Sequence, residues 1–352
     1  MQIVNRVTPN ALPIMDDIDR LYCQLSEFET VKPVVAQRYD ESFRDLVETF
    51  IYYSGHEWSI EYENRKYEQI EPIKNDNIIL AFSGGKDSIA SAMRYKDLGY
   101  NVYLYHMRHI NPTFSDEWEC AGQLAKMLDL PIFFDDIKFK SYHNWTEHPM
   151  KNMLIANGAL SYGIRTGLTT HIAFGNYTTS LLDDNVFDRC AGDCMDMWDN
   201  YNTIIQRMIP DFEMDANLDN MGDTLDTLAD RRDLLDESLS CLCRHSLRDY
   251  RKNWVKQKYG IDLFARRCGS CYKCCVEYIY MADHDKLPFS EGYYKYCLGQ
   301  LYRVALVEKI PVKNVLDIWD YYIFYDLSES KIAKQIPTAR LLKEKIKWEK
   351  GC

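Results

Sequence analysis

Five consecutive apolar residues, Ile78–Phe82, run straight into Ser83-Gly84-Gly85-Lys86-Asp87-Ser88, and the stretch after them has helical spacing to Leu98 and stops at Gly99. A buried strand that turns on two glycines into a helix is how an α/β unit begins. The pattern then repeats. Val102–Tyr105, Glu117–Leu128, Pro131–Phe134, Met150–Gly167 and His171–Phe174 read as strand, helix, strand, helix and strand. Strands that alternate with helices predict a parallel sheet covered on both faces, with ligands at the carboxyl ends of its strands. The chain has 352 residues, 46% of them hydrophobic, which is enough for such a core and one further domain.

The six-residue loop carries the first chemistry. Two glycines let the backbone turn with its N–H groups facing one cavity, and no Cβ stands in the way of a phosphate. The following helix adds unpaired amides and the positive end of its dipole. Ser83 and Ser88 supply hydroxyls, Lys86 a point charge, and Asp87 a carboxylate for the magnesium ion that accompanies phosphates. The string is neither a Walker A loop nor the dinucleotide Gly-x-Gly-x-x-Gly.

Cysteine usage is the second constraint. Of twelve cysteines, six (Cys241, Cys243, Cys268, Cys271, Cys274, Cys275) fall within one stretch of 35 residues. Cys268, Cys271 and Cys274 are each separated by two residues, so their sulfurs converge on one ion from a tight turn that Gly269 permits. A fourth thiolate from Cys241 or Cys243 closes a tetrahedral S₄ site of the structural zinc type, with an iron–sulfur cluster as the second choice and buried free thiols as the third.

The loop resembles the PP-loop of the N-type ATP pyrophosphatases, which split ATP between its α and β phosphates and adenylate a substrate. Further stretches resemble one branch of that superfamily, the 7-cyano-7-deazaguanine synthases of the queuosine pathway. These are Glu117–Pro131, Pro149-Met150-Lys151-Asn152 (with Lys151 where that family usually has Arg), Gly175-Asn176, Gly192-Asp193-Cys194 with Trp198, and Ser240-Cys241 followed by Cys268-Gly269-Ser270-Cys271-Tyr272-Lys273-Cys274. The match of Ser240-Cys241 favours Cys241 as the fourth zinc ligand. The resemblance implies a Rossmann-like parallel sheet of the adenine nucleotide alpha hydrolase kind, with a zinc-bound C-terminal part and helical additions. It further implies ATP, Mg²⁺ and Zn²⁺ as cofactors, with Ser83, Gly84, Gly85, Lys86, Asp87, Ser88, Asn152, Gly175 and Asn176 around ATP. Lys86, Asp87 and Lys151 would be catalytic, and Arg108, His109, Asp193 and Cys194 would face the substrate. The implied reaction is adenylation of a deazapurine carboxylate, such as 7-carboxy-7-deazaguanine, followed by amide or nitrile formation with ammonia.

The rest of the chain carries less chemistry. Residues 1–72 predict two helices (Met15–Phe28 and Ser42–Tyr53) and a hairpin over Trp58–Ile70 turning at Asn64, an appendage to a core at 73–210. Residues 211–280 hold an acidic helical stretch, a basic insertion and the cysteine site, and 281–352 a helical segment rich in core aromatics. Asp211–Glu237 contains ten acids against two arginines, read as a solvated helix face. Arg244–Arg267 carries eight Lys/Arg against two acids, with Arg244, Arg248, Lys252 and Lys256 on one helix face and Tyr250 and Trp254 on another. Two readings of it stand: a grip on a macromolecular acceptor, or a cationic helix pairing with the acidic stretch. The net charge of −11 argues against a surface built as a whole for polyanions. No apolar run reaches the roughly 18 residues of a membrane span, and the N-terminus carries no leader pattern, so a cytoplasmic protein is expected, with a homodimer left open. Sulfur transfer to tRNA or adenylylsulfate reduction would need a reactive cysteine outside the metal site, Cys190 or Cys194. Deazaguanine-type modification of a macromolecule and a non-catalytic zinc module that binds nucleic acid complete the alternatives.

Overall fold

The computed structural model describes residues 5–6, 10–26, 34–54, 58–109, 115–138, 151–177, 195–219, 221–241 and 245–307. It divides into two compact units, Met1–Ser83 with Ser91–Leu218, and Gly84–Ala90 with Asp219–Cys352. In chain order the elements of the first are β1 (Asn5–Arg6), α1 (Pro13–Ser26), β2 (Val34–Asp40), α2 (Arg44–Ser54), β3 (Ser59–Glu63), β4 (Asn77–Ala81), α3 (Lys86–Asp97), β5 (Asn101–His109), α4 (Ser115–Leu128), β6 (Ile132–Lys138), α5 (Lys151–Thr166), β7 (Ile172–Tyr177), α6 (Met195–Ile205) and β8 (Asp215–Asp219). The first turn of α3 belongs to the second unit, together with α7 (Met221–Leu228), α8 (Arg232–Glu237), α9 (His245–Tyr259), α10 (Tyr272–Asp283) and α11 (Glu291–Val307).

The α/β fold with a parallel sheet is as the alternation predicts. Ile78, Ile79 and Leu80 are fully buried, so β4 is a central strand with both faces covered. The sheet order is β1-β6-β5-β4-β7-β8, and β4 runs parallel to β5 (Asn77↔Asn101 to Ala81↔Tyr105) and to β7 (Ile79↔Ile172 to Ala81↔Phe174). β6 runs parallel to β5, and β1 lies antiparallel along its outer edge. The first parallel strand therefore sits between the second and the fourth. That reversal of strand order is the switch point where α/β sheets take their ligands.

The N-terminal segment belongs to the core of this unit. Ile14, Met15, Ile18, Leu21, Tyr22 and Leu25 of α1 recur at helical spacing, and all are buried in one cluster with Ile79 and Leu154. Asn157 of α5 donates to Met15 O at 3.2 Å. The hairpin expected at Asn64 does not form. β3 pairs instead, in parallel, with β2, a strand the sequence reading did not assign. Arg65 explains the difference. Its N–H donates to Asp40 Oδ2 at 2.9 Å and its guanidinium to Asp17 Oδ2 at 2.6 Å, which holds the chain extended where a hairpin would turn back.

In the second unit, α10 and α11 pack through Tyr278 and Tyr293, whose ring centroids are 4.4 Å apart. Tyr278, Tyr293 and Tyr294 are buried, as expected of core aromatics, while Trp319, Tyr321 and Tyr322 lie outside the described residues. The acidic stretch is not one helix: it supplies β8, α7 and α8. Among the described residues no helix is long and apolar enough to cross a membrane.

Gly163 of α5 marks the tightest approach in the first unit: a Cβ there would lie 2.2 Å from Thr169 O and 2.8 Å from Ile79 Cδ1. Gly163→Ala should therefore cost about 1–3 kcal/mol through overpacking, read as a lower midpoint in denaturant unfolding.

Candidate functional site

The loop between β4 and α3 turns at Gly84, whose φ of 76° is a conformation that glycine adopts without strain. Ser88 Oγ donates to Gly85 O at 3.0 Å, and Ile89 N–H donates to the same oxygen at 3.1 Å, starting the helix. Lys86 does not extend into solvent. It is 3% exposed, and its Nζ pairs with Asp87 Oδ1 at 3.1 Å. Burial lowers the Lys86 pKa, the Asp87 carboxylate opposes that, and Lys273 and Glu277 act on it with opposite signs.

The loop rests on the segment that leads into Cys241. Leu239 N–H donates to Gly84 O at 2.8 Å, and Lys86 N–H donates to Ser240 Oγ at 3.3 Å. Beyond this contact lies the cysteine cluster. The Sγ atoms of Cys241, Cys268, Cys271 and Cys274 all lie within 4.8 Å of one another. The Cys241–Cys271 and Cys268–Cys274 separations are 4.0 Å, and Cys271–Cys274 is 3.4 Å. Four sulfurs around a tetrahedral zinc at 2.3 Å stand about 3.8 Å apart, so the set fits such an ion. Cys268 Sγ accepts the N–H groups of Ser270 and Cys271, each at 3.3 Å, as a thiolate does. Its thiol is held below the ordinary range, by Cys241 first, then by Cys271 and Cys274, and against the cost of burial by Ser270 N–H. Cys241 thus stands where the fourth ligand was expected, while Cys243 lies outside the described residues.

Gly269 makes the knuckle possible. Its φ is +70°, and a Cβ would meet Leu263 Cδ1 at 2.4 Å, Tyr293 OH at 2.8 Å and Val255 Cγ2 at 2.9 Å. The whole assembly is braced by Arg267, which is 1% exposed. Its Nε donates to both carboxylate oxygens of Glu277 at 2.8 and 3.0 Å, Nη1 to Ser238 O at 2.6 Å and Nη2 to Ser238 Oγ at 2.8 Å. One buried side chain so joins α10, the knuckle and the Ser238–Cys241 segment. Sequence reasoning missed it, because Arg267 sits among eight surface-like basic residues and nothing in their spacing singles it out.

The remaining candidates are placed in the first unit. Gly175 and Asn176 continue β7 beyond Phe174, whose register partner is Ala81, so they lie beside the strand that leads to Ser83. Lys151 and Asn152 open α5. Arg108 is bound by Asp136, with Nη2 to Oδ2 at 2.8 Å, and stacks over Trp118. His109 ends β5 opposite Ile137. Asp193, Cys194 and Cys190 lie outside the described residues. A further residue of interest, His106, is buried with Nδ1 at 2.7 Å from Phe82 O, and burial lowers its pKa.

The basic stretch is partly turned inward, so its cations do not form one free face. Arg248 is buried, Arg251 donates to Ser270 Oγ at 3.1 Å, and Lys256 pairs with Asp262 at 3.3 Å. Arg266 pairs with Glu237 at 3.0 Å, and Asp236 accepts Ala265 N–H at 2.7 Å, which joins the basic stretch to the acidic one. Tyr250 stays 72% exposed, whereas Trp254 packs edge-on against Tyr259 and Tyr296. No protein-family model and no curated protein matches the chain.

Removing one partner of the buried pair should be costly. Glu277→Ala leaves the Arg267 charge uncompensated, for an expected loss of about 3–5 kcal/mol. The measurement is denaturant unfolding of the zinc-loaded protein, and Cys274→Ser should lower zinc content measured by atomic absorption.

Proposed function

We propose that the protein is an AMP-forming, ATP-dependent carbon–nitrogen ligase of the PP-loop kind, acting on a deazapurine carboxylate. The observation that carries the reading is the loop itself. A glycine-turned strand-to-helix connection follows the central strand of a parallel sheet at its switch point, with Lys86, Asp87 and Ser88 opening the helix. The quartet of cysteines behind the loop is the second support, since the same resemblance implies both.

In this reading the amides of residues 84, 85, 87 and 88 receive the β and γ phosphates while Ser240 keeps the Lys86 amide. The Ser88 hydroxyl turns from Gly85 O to a phosphate oxygen, and Asp87 turns one carboxylate oxygen to magnesium. Magnesium, when bound, would screen the phosphates and ease departure of pyrophosphate. A carboxylate oxygen of the substrate attacks the α-phosphorus, and the bond to the bridging oxygen breaks. Pyrophosphate leaves into the amide cradle, where Lys86 offsets its developing charge. Ammonia then attacks the acyl carbon, AMP departs with the former carboxylate oxygen, and the surplus proton passes to solvent. The product is an amide, and a second ATP would serve its dehydration to a nitrile. Lys151, Asn152 and Asn176 would orient the nucleotide, and Asp193 would accept N–H groups of the purine-like edge. Zinc would hold the scaffold, since four thiolates leave no open position for catalysis. The internal pairing of Arg251, Lys256 and Arg266 supports a small acceptor over a nucleic-acid backbone.

Mass spectrometry of a mixture containing carboxy-deazaguanine, ATP and ammonium tests the proposal. AMP, pyrophosphate and the deazaguanine amide or nitrile are expected, and Asp87→Ala should lower their formation at least about 100-fold. Absence of AMP with every deazapurine acid would end this reading.

A further inference from the structure

Ser238, Leu239, Ser240 and Cys241 form a tetrapeptide that is gripped at both ends. At one end Arg267 holds Ser238 by its carbonyl at 2.6 Å and its hydroxyl at 2.8 Å. At the other, Cys241 Sγ stands 4.0 Å from Cys271 Sγ, inside the metal-ligand quartet. The phosphate-type loop is attached to the middle. Leu239 N–H donates to Gly84 O, and Ser240 Oγ accepts Lys86 N–H. The same tetrapeptide thus serves two neighbours: it offers a metal ligand on one side and fixes the loop backbone at two points, the Gly84 carbonyl and the Lys86 amide, on the other. From α10, which carries Cys274, Lys273 and Glu277 lie within electrostatic reach of Lys86.

We propose that Ser240 is a positioning residue that transmits occupancy of the four-cysteine site to the loop at 84–88. Metal bound through Cys241 sets the place of the Ser240 hydroxyl, and that hydroxyl sets the orientation of the Lys86 peptide. Without the ion, Cys241 loses its metal bond, and Ser240 is held by Ser238 and by the Leu239–Gly84 hydrogen bond without that anchor on its other side. A hydroxyl accepts and donates at once. Ser240 can therefore keep the Lys86 N–H while offering its own proton to an anion seated in the loop, a consequence that rests on the nucleotide reading above. The coupling itself does not rest on it.

Amide hydrogen exchange on the full-length, zinc-loaded protein without nucleotide tests the coupling. Ser240→Ala should accelerate exchange of the Lys86 amide about tenfold, the factor expected for loss of one hydrogen bond, while the Leu239 amide keeps its Gly84 acceptor. Zinc content and protection of the α10 and α11 amides should stay at the wild-type level, and Ser240→Thr should restore slow exchange. Chelation of the wild type should accelerate the Lys86 amide, and chelation of Ser240→Ala should accelerate it no further. Unchanged exchange at Lys86 in zinc-loaded Ser240→Ala overturns the proposal. That arm decides alone if chelation exposes the whole unit. Titration with inorganic pyrophosphate separates the two readings: the exchange effect without pyrophosphate binding upholds the coupling and removes the nucleotide assignment.

Discussion

A single buried guanidinium organises the second unit. Arg267 has almost no exposure, and its donors are distributed over the carboxylate of Glu277 and over both oxygens of Ser238. Taking such a charge out of water is expensive, and the geometry answers that expense with a carboxylate that shares the Nε proton between its two oxygens and with two further hydrogen bonds to Ser238. The return is positional. Cys268 follows Arg267 directly, Cys274 lies one helical turn before Glu277, and Cys241 lies three residues after Ser238. Three of the four sulfurs are thus placed by the partners of one side chain. Gly269 completes the arrangement by letting Leu263, Val255 and Tyr293 close over the knuckle.

The central sheet was legible in the sequence because its signal is redundant. Ile78–Phe82 is apolar without interruption, glycine follows it, and each later strand is separated by a helix with a clear apolar stripe. Parallel order follows from alternation alone. The cysteine site was legible for a similar reason: Cys268, Cys271 and Cys274 carry their geometry in their spacing, whereas the choice of Cys241 over Cys243 came from the resemblance at Ser240-Cys241 and not from spacing. What escaped was held by single polar contacts over long separations. The hairpin at Asn64 failed because Arg65 reaches Asp40 and Asp17, partners 25 and 48 residues away. β2 carries Gln37, Arg38 and Asp40 within seven residues, so it lacks the apolar run that marks a buried strand. The acidic stretch looked uniform by charge, yet Leu225, Leu228, Leu234 and Leu235 are all fully buried, and these leucines determine where its short helices pack.

Lys86 differs in posture from the point charge that its place in the loop suggests: its Nζ lies buried against Asp87, and the Ser88 hydroxyl is turned back onto Gly85 O. A cation placed under such a loop reinforces the potential felt by an anion without competing for its oxygens. The basic helix α9 makes the complementary point. Counted by residue it fits either a grip on a polyanion or a cationic helix pairing with the acidic stretch; resolved into partners, Arg251, Lys256 and the neighbouring Arg266 are bound to Ser270, Asp262 and Glu237.

The pairing of Asn5 and Arg6 with Ile137 and Lys138 has a practical bearing. An open sheet ends in a row of bare amides and carbonyls that recruits strands from other molecules, and a brief antiparallel partner blunts it. Among the described residues the guard on the β6 side is the pair Asn5–Arg6. Trimming the start of the chain, or attaching a purification tag that drags on it, would uncover that border and favour self-association at high concentration. Tags are better placed elsewhere.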